Sequence, residues 1–346
     1  MDNFYIGYRD PLFGIIIFFL LIFIISFANY WWSIYKNKNE ESNIQRFIDK
    51  FQIDDSKNEY KIIFEDKNLT LESIILLAKS YKKIGEYEKS IGIYLYALKK
   101  YTKRAQKQQI LFLLGKVYLK AGFIERAREV FIESLKISPR HEESLKYLTI
   151  TYDILKRYDK ALEVLDALEE LGSEIKKEKT YLQALYISSL ETSYIKKEKL
   201  LYDFASLKST QRIYIEFLLK YNKPINFYKI KNFDFLNIFD ILWRMDISGF
   251  DMDFAKNHPF LSDILSARGV FYTEKKSDIF ELDILKSLVN AGYKRADINF
   301  EYFCSKCKNS YPFYFSRCPN CHSIDSVKII PKLTQKVTQS EISTYI

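Results

Sequence analysis

The sequence predicts an all-α fold class in three parts: an N-terminal transmembrane helix, a solenoid of helix pairs, and a small C-terminal β-knuckle that binds a metal. Three observations carry this prediction. An uncharged apolar run lies near the start of the chain, one residue pattern occurs three times after residue 70, and all four cysteines form two Cys-x-x-Cys pairs near the end. With 10 Gly and 7 Pro among 346 residues, few residues interrupt helices.

The apolar run over residues 11–35 contains no charged side chain, and a helix of this length spans the hydrocarbon core of a bilayer. A Tyr-Trp-Trp stretch would form an aromatic belt at its end, and Lys36 and Lys38 follow it. A cleaved signal peptide is the alternative, because Ser26-Phe27-Ala28 fits a small-x-small cleavage pattern. The weakly basic start and the length of the run favour an uncleaved anchor.

The two lysines after the run also predict orientation. By the positive-inside rule, the long C-terminal part lies in the cytoplasm, where a reducing environment keeps thiols available for a metal. We therefore predict a single-pass membrane protein with the bulk of the chain on the cytoplasmic side. The predicted parts are a tail on the other side of the membrane over 1–10 (periplasmic, if the resemblance given below holds), the membrane helix over 11–35, a juxtamembrane linker over 36–70, helical repeats over 71–300, a metal-binding domain over 301–332 and a tail over 333–346.

Three units of similar pattern begin at residues 71, 108 and 142, so their spacings are 37 and 34 residues. Each unit has a small residue (Ala78, Gly115 or Thr149) and a tyrosine three positions later. This is the spacing of tetratricopeptide repeats, in which the small residue lets the two helices of a pair approach and aromatic residues fill the groove between pairs. The pattern predicts a tetratricopeptide solenoid with degenerate units after residue 172. An ordinary helical bundle is the alternative.

The two Cys-x-x-Cys knuckles lie in the segment CSKCKNSYPFYFSRCPNC, over residues 304–321. Each pair aims two thiolates at one point, and two facing pairs complete a tetrahedral site for one metal ion, zinc or iron. The predicted ligands are Cys304, Cys307, Cys318 and Cys321. Four protein ligands leave no open position, which favours a structural metal that supplies folding energy to a domain too small to fold alone. Aromatic residues before the first cysteine predict a strand, and a second short strand is expected to end at Pro331.

Other chemistry at the cysteines remains open in principle. Two disulfides or a redox pair would use the same residues, although no thioredoxin-like βαβ pattern surrounds them. An iron site with redox activity is a further alternative. His322 follows the last cysteine, but we expect it at the surface because four thiolates already satisfy the metal.

The net charge and the motifs of the chain bear on the kind of partner it binds. The formal net charge of +9 suits either an anionic membrane surface or nucleic acid. No nucleic-acid recognition motif is present in the sequence, so we expect no nucleic-acid partner. Gly-rich phosphate loops and nucleophile-elbow motifs are also missing from it. We therefore expect a binding protein without catalytic residues rather than an enzyme.

The order of apolar run, repeats and tetra-cysteine knuckle resembles the LapB (YciM) family of bacterial lipopolysaccharide-assembly proteins. The resemblance is most specific at YFCSKCKNSYPFYFSRCPNCHSIDSVKII, which is similar to that family's rubredoxin-type terminal domain. It implies an inner-membrane adaptor that links the LpxC deacetylase to the membrane protease FtsH, with a metal domain packed on the repeats. The chain differs from that pattern where Lys308 and His322, rather than glycine, follow the second cysteine of each knuckle. A general scaffold for another envelope or secretion assembly is the alternative function, and homo-oligomers are possible.

A partner groove is predicted from the repeats, in which the first helix of each unit lines the concave face. The inward positions are expected to include Lys79, Lys82, Lys83, Phe112, Lys116, Lys120, Lys146 and Ile150. Clustered lysines with a few apolar residues suit an acidic or C-terminal peptide that carries an apolar anchor. The alternative is that these lysines are ordinary solvated residues of a helix face.

Overall fold

The computed structural model describes residues 17–31, 70–223, 225, 227 and 233–336. This part of the chain is mostly helical and carries one small antiparallel sheet near its C-terminal end. The chain divides into two compact units, Met1–Tyr147 and Leu148–Ile346. The helical body and the β-knuckle of the predicted fold class are thereby confirmed.

Helix α1 covers residues 17–31, and its apolar side chains are exposed. Within the described ranges, no helix combines the length and the apolar character needed to cross a membrane. The predicted span over 11–35 also includes residues on both sides of α1 that lie outside those ranges. The predicted tail over 1–10 and nearly all of the linker over 36–70 lie outside them too, so the anchor stays a prediction.

The first unit contains two helix pairs after α1. Their helices are α2 (Leu71–Lys83), α3 (Tyr87–Lys100), α4 (Arg104–Lys120) and α5 (Ile124–Ile137). Helix α2 packs on α3, α3 on α4, and α4 on α5. Tyr94, Tyr118 and Phe131 are fully buried between these helices, in the way expected for aromatic residues of a helical repeat.

Gly115 shows why the pattern needs a small residue at the centre of α4. A Cβ atom placed on this glycine would lie 2.5 Å from Cε1 of Phe131, which belongs to α5. The ring is fully buried, so it has no free space into which it can move. The close approach of α4 and α5 therefore depends on the missing side chain.

The turn after the first helix of each of the three sequence repeats has the same geometry. Gly85 and Gly122 adopt φ of 89° and 85°, and Lys156 takes the equivalent place in the third repeat with φ of 57°. In each repeat the N–H of the next residue donates to the carbonyl of the tyrosine five residues earlier, at 3.0, 2.9 and 2.9 Å. This is the Schellman end of a helix, which needs a left-handed residue. The third repeat makes the same turn without glycine.

Nine further α-helices of the described residues lie between the start of the third repeat and the sheet. They are α6 (Glu142–Ile154), α7 (Tyr158–Glu170), α8 (Lys176–Ser189), α9 (Tyr194–Phe204), α10 (Lys208–Lys220), α11 (Phe239–Arg244), α12 (Met252–Asn257), α13 (Pro259–Ala267) and α14 (Phe280–Asn290). Short 3-10 turns cover Phe235–Ile238 and Ile247–Gly249. Helices α8, α9 and α10 pack on one another. His258 caps α13, which has Pro259 in its first turn.

The sheet has strand order β2-β1-β3, with β1 over Ala296–Cys304, β2 over Ser310–Tyr311 and β3 over Val327–Gln335. All neighbouring strands are antiparallel. Strand β1 starts before and β3 ends after the predicted domain limits of 301–332. The prediction that the last strand ends at Pro331 is wrong: Pro331 lies inside β3, opposite Phe300. Strand β3 is an edge of the sheet, where the missing N–H of proline is tolerated.

Replacement of Gly115 by Ala tests the packing of α4 on α5. Ala is the better helix former by about 1 kcal/mol, yet overpacking a core costs about 1–3 kcal/mol. We expect the Gly115→Ala protein to be less stable, with a lower midpoint in urea unfolding followed by circular dichroism. The compensating variant Gly115→Ala/Phe131→Leu should recover part of the loss, because the smaller side chain frees the space. A Gly115→Ala protein as stable as the parent would contradict the close approach.

Candidate metal centre

The two knuckles are built in the same way. The N–H of Cys304 donates to the carbonyl of Asn309, and the N–H of Lys308 donates to the carbonyl of Cys304, both at 2.9 Å. In the second knuckle, Cys318 and His322 make the corresponding bonds, again at 2.9 Å. Each loop therefore closes on itself and directs its two sulfur atoms to one side.

Both knuckles also need a left-handed residue after their second cysteine. Lys308 has φ of 65° and His322 has φ of 59°, a region of backbone conformation that favours glycine. A non-glycine residue in this region costs roughly 1–2 kcal/mol. The chain thus keeps the loop geometry although it lacks the residue that forms it most easily. His322 is half-buried.

The four sulfur atoms form a compact cluster. All lie within 4.8 Å of one another, with Sγ–Sγ distances of 3.7 Å for Cys304–Cys321 and 3.6 Å for Cys307–Cys318. A tetrahedron with metal–sulfur bonds of about 2.3 Å has sulfur–sulfur edges of about 3.8 Å. A disulfide needs about 2.05 Å, and all four thiols are free. The described residues could thus hold one metal ion tetrahedrally, and His322 does not belong to the cluster.

Hydrogen bonds onto sulfur prepare the first knuckle for a metal. Burial by itself raises the pKa of the Cys304 thiol, but the backbone N–H of Cys307 and the Ser326 hydroxyl outweigh it and lower that pKa to about 5. The backbone N–H of Asn309 likewise lowers the pKa of Cys307. Since metals bind the thiolate, a lowered thiol pKa at both sulfurs favours metal binding.

In the second knuckle, the sulfur of Cys318 is buried. Burial raises the pKa of the Cys318 thiol to about 11, although the backbone N–H groups of Cys321 and Asn320 oppose the shift. Hydroxyl groups lie near the sulfurs: Ser323 Oγ is 3.0 Å from Cys321 Sγ, and Tyr311 Oη is 3.8 Å from Cys318 Sγ. Such neighbours orient metal ligands and reduce the charge on their sulfur atoms. Both zinc and iron suit four sulfurs of this kind.

Arg317 fastens the second knuckle to the helices of the second unit. Its Nε donates to Asp153 Oδ2 of α6 at 2.6 Å, and its Nη2 donates to Glu178 Oε1 of α8 at 2.5 Å. The third donor, Nη1, reaches the carbonyl of His322 at 3.1 Å. The side chains of Arg317 and Asp153 are only 7% and 8% exposed. Burial raises the pKa of the Asp153 carboxyl, and the positive charge of Arg317 counteracts that rise.

A second buried group of polar side chains fastens the sheet. Arg212 of α10 makes two hydrogen bonds to the carboxylate of Asp240, at 2.8 and 2.9 Å, and Tyr302 of β1 donates its hydroxyl to the same carboxylate at 2.8 Å. The guanidinium of Arg212 also lies 3.5 Å from the ring centroid of Tyr314. The knuckle adds Asp325, whose Oδ1 accepts from the N–H of Ser209 at 2.8 Å at the start of α10.

Five residues of the predicted partner groove meet at one place in the first unit. Lys79, Lys82, Lys83, Lys116 and Lys120 line a pocket of about 410 Å³. We call it the lysine pocket. Tyr87, Tyr94, Leu113 and Val117 complete its lining, and the sequence prediction missed all four. Phe112 shares the face of α4 that carries Lys116 and Lys120, but the rings of His141 and Tyr147 pack on it.

Three predicted groove residues lie elsewhere. Phe112 is only 6% exposed and packs with its ring 5.1 Å from that of His141, so its prediction as an accessible groove residue is wrong. Lys146 does not line the lysine pocket and pairs with Glu142 at 2.6 Å. Ile150 belongs to the second unit, where it is half-buried.

No model of a known protein family matches this chain, and no curated protein matches it either. The four-cysteine cluster and the repeat-like helices are therefore the features that bear on its function.

Removal of one sulfur ligand tests the metal site. We expect about one metal ion per chain in the parent protein, and nearly none in Cys304→Ser or Cys318→Ser, by elemental analysis of freshly purified full-length chain. Because binding energy at a structural site is folding energy, both variants should also show rapid proteolysis within residues 296–335.

The matched control is His322→Asn, since asparagine tolerates the left-handed conformation and the residue does not contribute to the sulfur cluster. It should keep its metal. A parent protein without metal, or cysteine variants that retain a full equivalent, would exclude the tetrathiolate site.

The contact between knuckle and helices is tested by Arg317→Met. This variant keeps most of the side-chain volume but leaves the buried Asp153 without its cation, which costs about 3–5 kcal/mol. We expect a lower free energy of unfolding and faster cleavage between α14 and β3, with metal content unchanged. The double variant Arg317→Met/Asp153→Leu should be more stable than the single one, because it removes the unpaired charge as well. Equal stability of parent and single variant would show that the ion pair does not hold the knuckle.

Proposed function

We propose that this protein is a membrane-anchored adaptor that regulates lipopolysaccharide synthesis by presenting a client enzyme to a membrane protease. In this proposal the repeats bind the client, an LpxC-like deacetylase, and the N-terminal segment brings it to an FtsH-like protease. The protein itself binds and positions other proteins and carries out no reaction.

The attachment of the knuckle to the helices is the observation that supports the proposal most. The four cysteines can occupy every position of a tetrahedral metal, which suits a stabilising rather than a reactive site. Arg317 and Arg212 then join the knuckle to α6, α8 and α10 through buried charges. A rigid platform of this kind suits a protein whose task is to hold two others in a fixed relation.

The repeat-like helices supply the binding surface in this proposal. Pairs of short helices stacked in sequence present long concave faces, and these serve in protein recognition. The lysine pocket provides a basic site on the first unit. Its charge suits an acidic segment of the client, because complementary charge increases the rate and specificity of association.

Three features of the sequence support the membrane anchor. The apolar run over 11–35, its aromatic end and the lysines that follow it favour an uncleaved membrane helix with the C-terminal part in the cytoplasm. The exposed apolar side chains of α1 agree with a location in lipid, where they would not contact water. The inner membrane is therefore the proposed site of action.

Crosslinked purification from membranes tests the adaptor. The full-length chain, expressed with an affinity tag in a lipopolysaccharide-producing bacterium, should recover both the deacetylase and the protease. Protease added to spheroplasts should leave residues 36–346 intact. The Cys304→Ser variant should recover less of the client, since its platform is loosened.

Two results would reject the proposal. The first is recovery of other envelope proteins without the deacetylase and the protease, which would favour the general scaffold. The second is digestion of the C-terminal part from outside the cell, which would reject the cytoplasmic orientation.

A further inference from the structure

The lysine pocket concentrates positive charge on two neighbouring helices. Lys79 and Lys83 are one helical turn apart on α2, as are Lys116 and Lys120 on α4, and Lys82 lies among them. A rise of about 1.5 Å per residue places each pair about 6 Å apart along its helix. The five ammonium groups therefore form two short rows along one pocket.

These charges act on one another. Burial lowers the pKa of Lys82, and the positive charges of Lys116, Lys120 and Lys79 lower it further. The folded chain thus holds like charges together at a cost in free energy, which a bound anion would remove. Such a cost at a surface pocket is typical of a site whose ligand supplies the opposite charge.

Aromatic rings hold one of the lysines in place. The ammonium of Lys116 lies 5.2 Å from the ring centroid of Phe112 and 4.9 Å from that of Tyr147. These cation–π contacts restrict the conformations of the Lys116 side chain. Phe112 is therefore a positioning residue for Lys116, although it is buried and offers no surface to a ligand.

The apolar part of the pocket distinguishes between possible anions. Leu113 and Tyr87 are half-buried and line the same pocket as the lysines. A volume of about 410 Å³ lies at the small end of ligand sites, so it accommodates one or two side chains rather than a folded domain. Inorganic phosphate would pair with the ammonium groups but would gain nothing from Leu113.

We propose that the lysine pocket binds an extended acidic peptide that carries one large apolar side chain between its carboxylates. The apolar side chain contacts Leu113 and Tyr87, and carboxylates on both sides of it pair with the lysines of α2 and α4. The inference rests on the proposed adaptor function, for which it identifies the chemistry of the client segment.

A direct binding measurement tests this site without the deacetylase or the protease. The probe is a short fluorescein-labelled peptide of Asp and Glu with one central Leu, titrated with full-length chain in detergent and followed by fluorescence anisotropy. The Lys82→Glu/Lys116→Glu variant should weaken binding by more than about tenfold, because it reverses two of the five charges. Increasing salt from about 50 to about 200 mM should weaken binding to the parent protein but have much less effect on the variant.

The matched control is Lys136→Glu/Lys160→Glu, which changes the net charge equally at two exposed lysines that pair with Glu133 and Glu163. It should bind the peptide within about twofold of the parent. Circular dichroism and metal content should be unchanged in both variants. The milder Lys82→Gln/Lys116→Gln, which adds no repulsive charge, should weaken binding as well and serves if the reversed variant loses helicity.

Three results would overturn the inference. One is equal binding by the parent and the Lys82→Glu/Lys116→Glu variant. Another is equal weakening by the control pair, which would indicate attraction by net charge alone. The third is unchanged affinity when the central Leu is replaced by Ser, together with displacement by inorganic phosphate, which would indicate a simple anion site. Failure of the membrane purification would reject the proposed adaptor but not this pocket, because the peptide assay needs neither partner.

Discussion

The second unit depends on the buried guanidinium of Arg317. Its three donor atoms satisfy a carboxylate from α6, a carboxylate from α8 and a carbonyl of its own loop. Taking these charges out of water costs several kcal/mol, and the cost is offset only if the geometry is complete. Since Cys318 is the next residue, the loop that places this guanidinium is also the loop that places a metal ligand. One short loop therefore serves both the sulfur cluster and the attachment to the helices.

Directional contacts of this kind specify orientation more strongly than apolar contacts do. An apolar interface tolerates small rotations. The carboxylate of Asp240, in contrast, must accept hydrogen bonds from two guanidinium nitrogens and the Tyr302 hydroxyl at the same time. The same holds at Ser209, where the carboxylate of Asp325 accepts from an N–H group at the positive end of α10. The knuckle is thereby held in one orientation on the helices of the second unit.

Local features of the chain were predictable from its sequence, and distant pairings were not. Spacing identified the four cysteines and the small residue Gly115, because knuckles and helix pairs impose fixed intervals. The partners of Arg317 lie 164 and 139 positions away, and no periodicity connects them to it. Phe112 lies on the same helix face as Lys116, yet the rings of His141 and Tyr147 bury it, and the helical period does not reveal such contacts with other segments. Lys156 shows that a turn geometry can persist after its usual glycine is lost.

The position of Pro331 in β3 has a consequence for self-association. An unpaired strand edge is a template on which another chain can add a strand, the first step towards domain swapping or fibres. Proline has no N–H to offer such a strand, and the charged Lys328 and Lys332 lie on either side of it. At the other edge β2 has only two residues, too few for a stable ladder. The small sheet is thus protected from templated growth on both sides, so that copies of the chain can crowd together without joining their sheets.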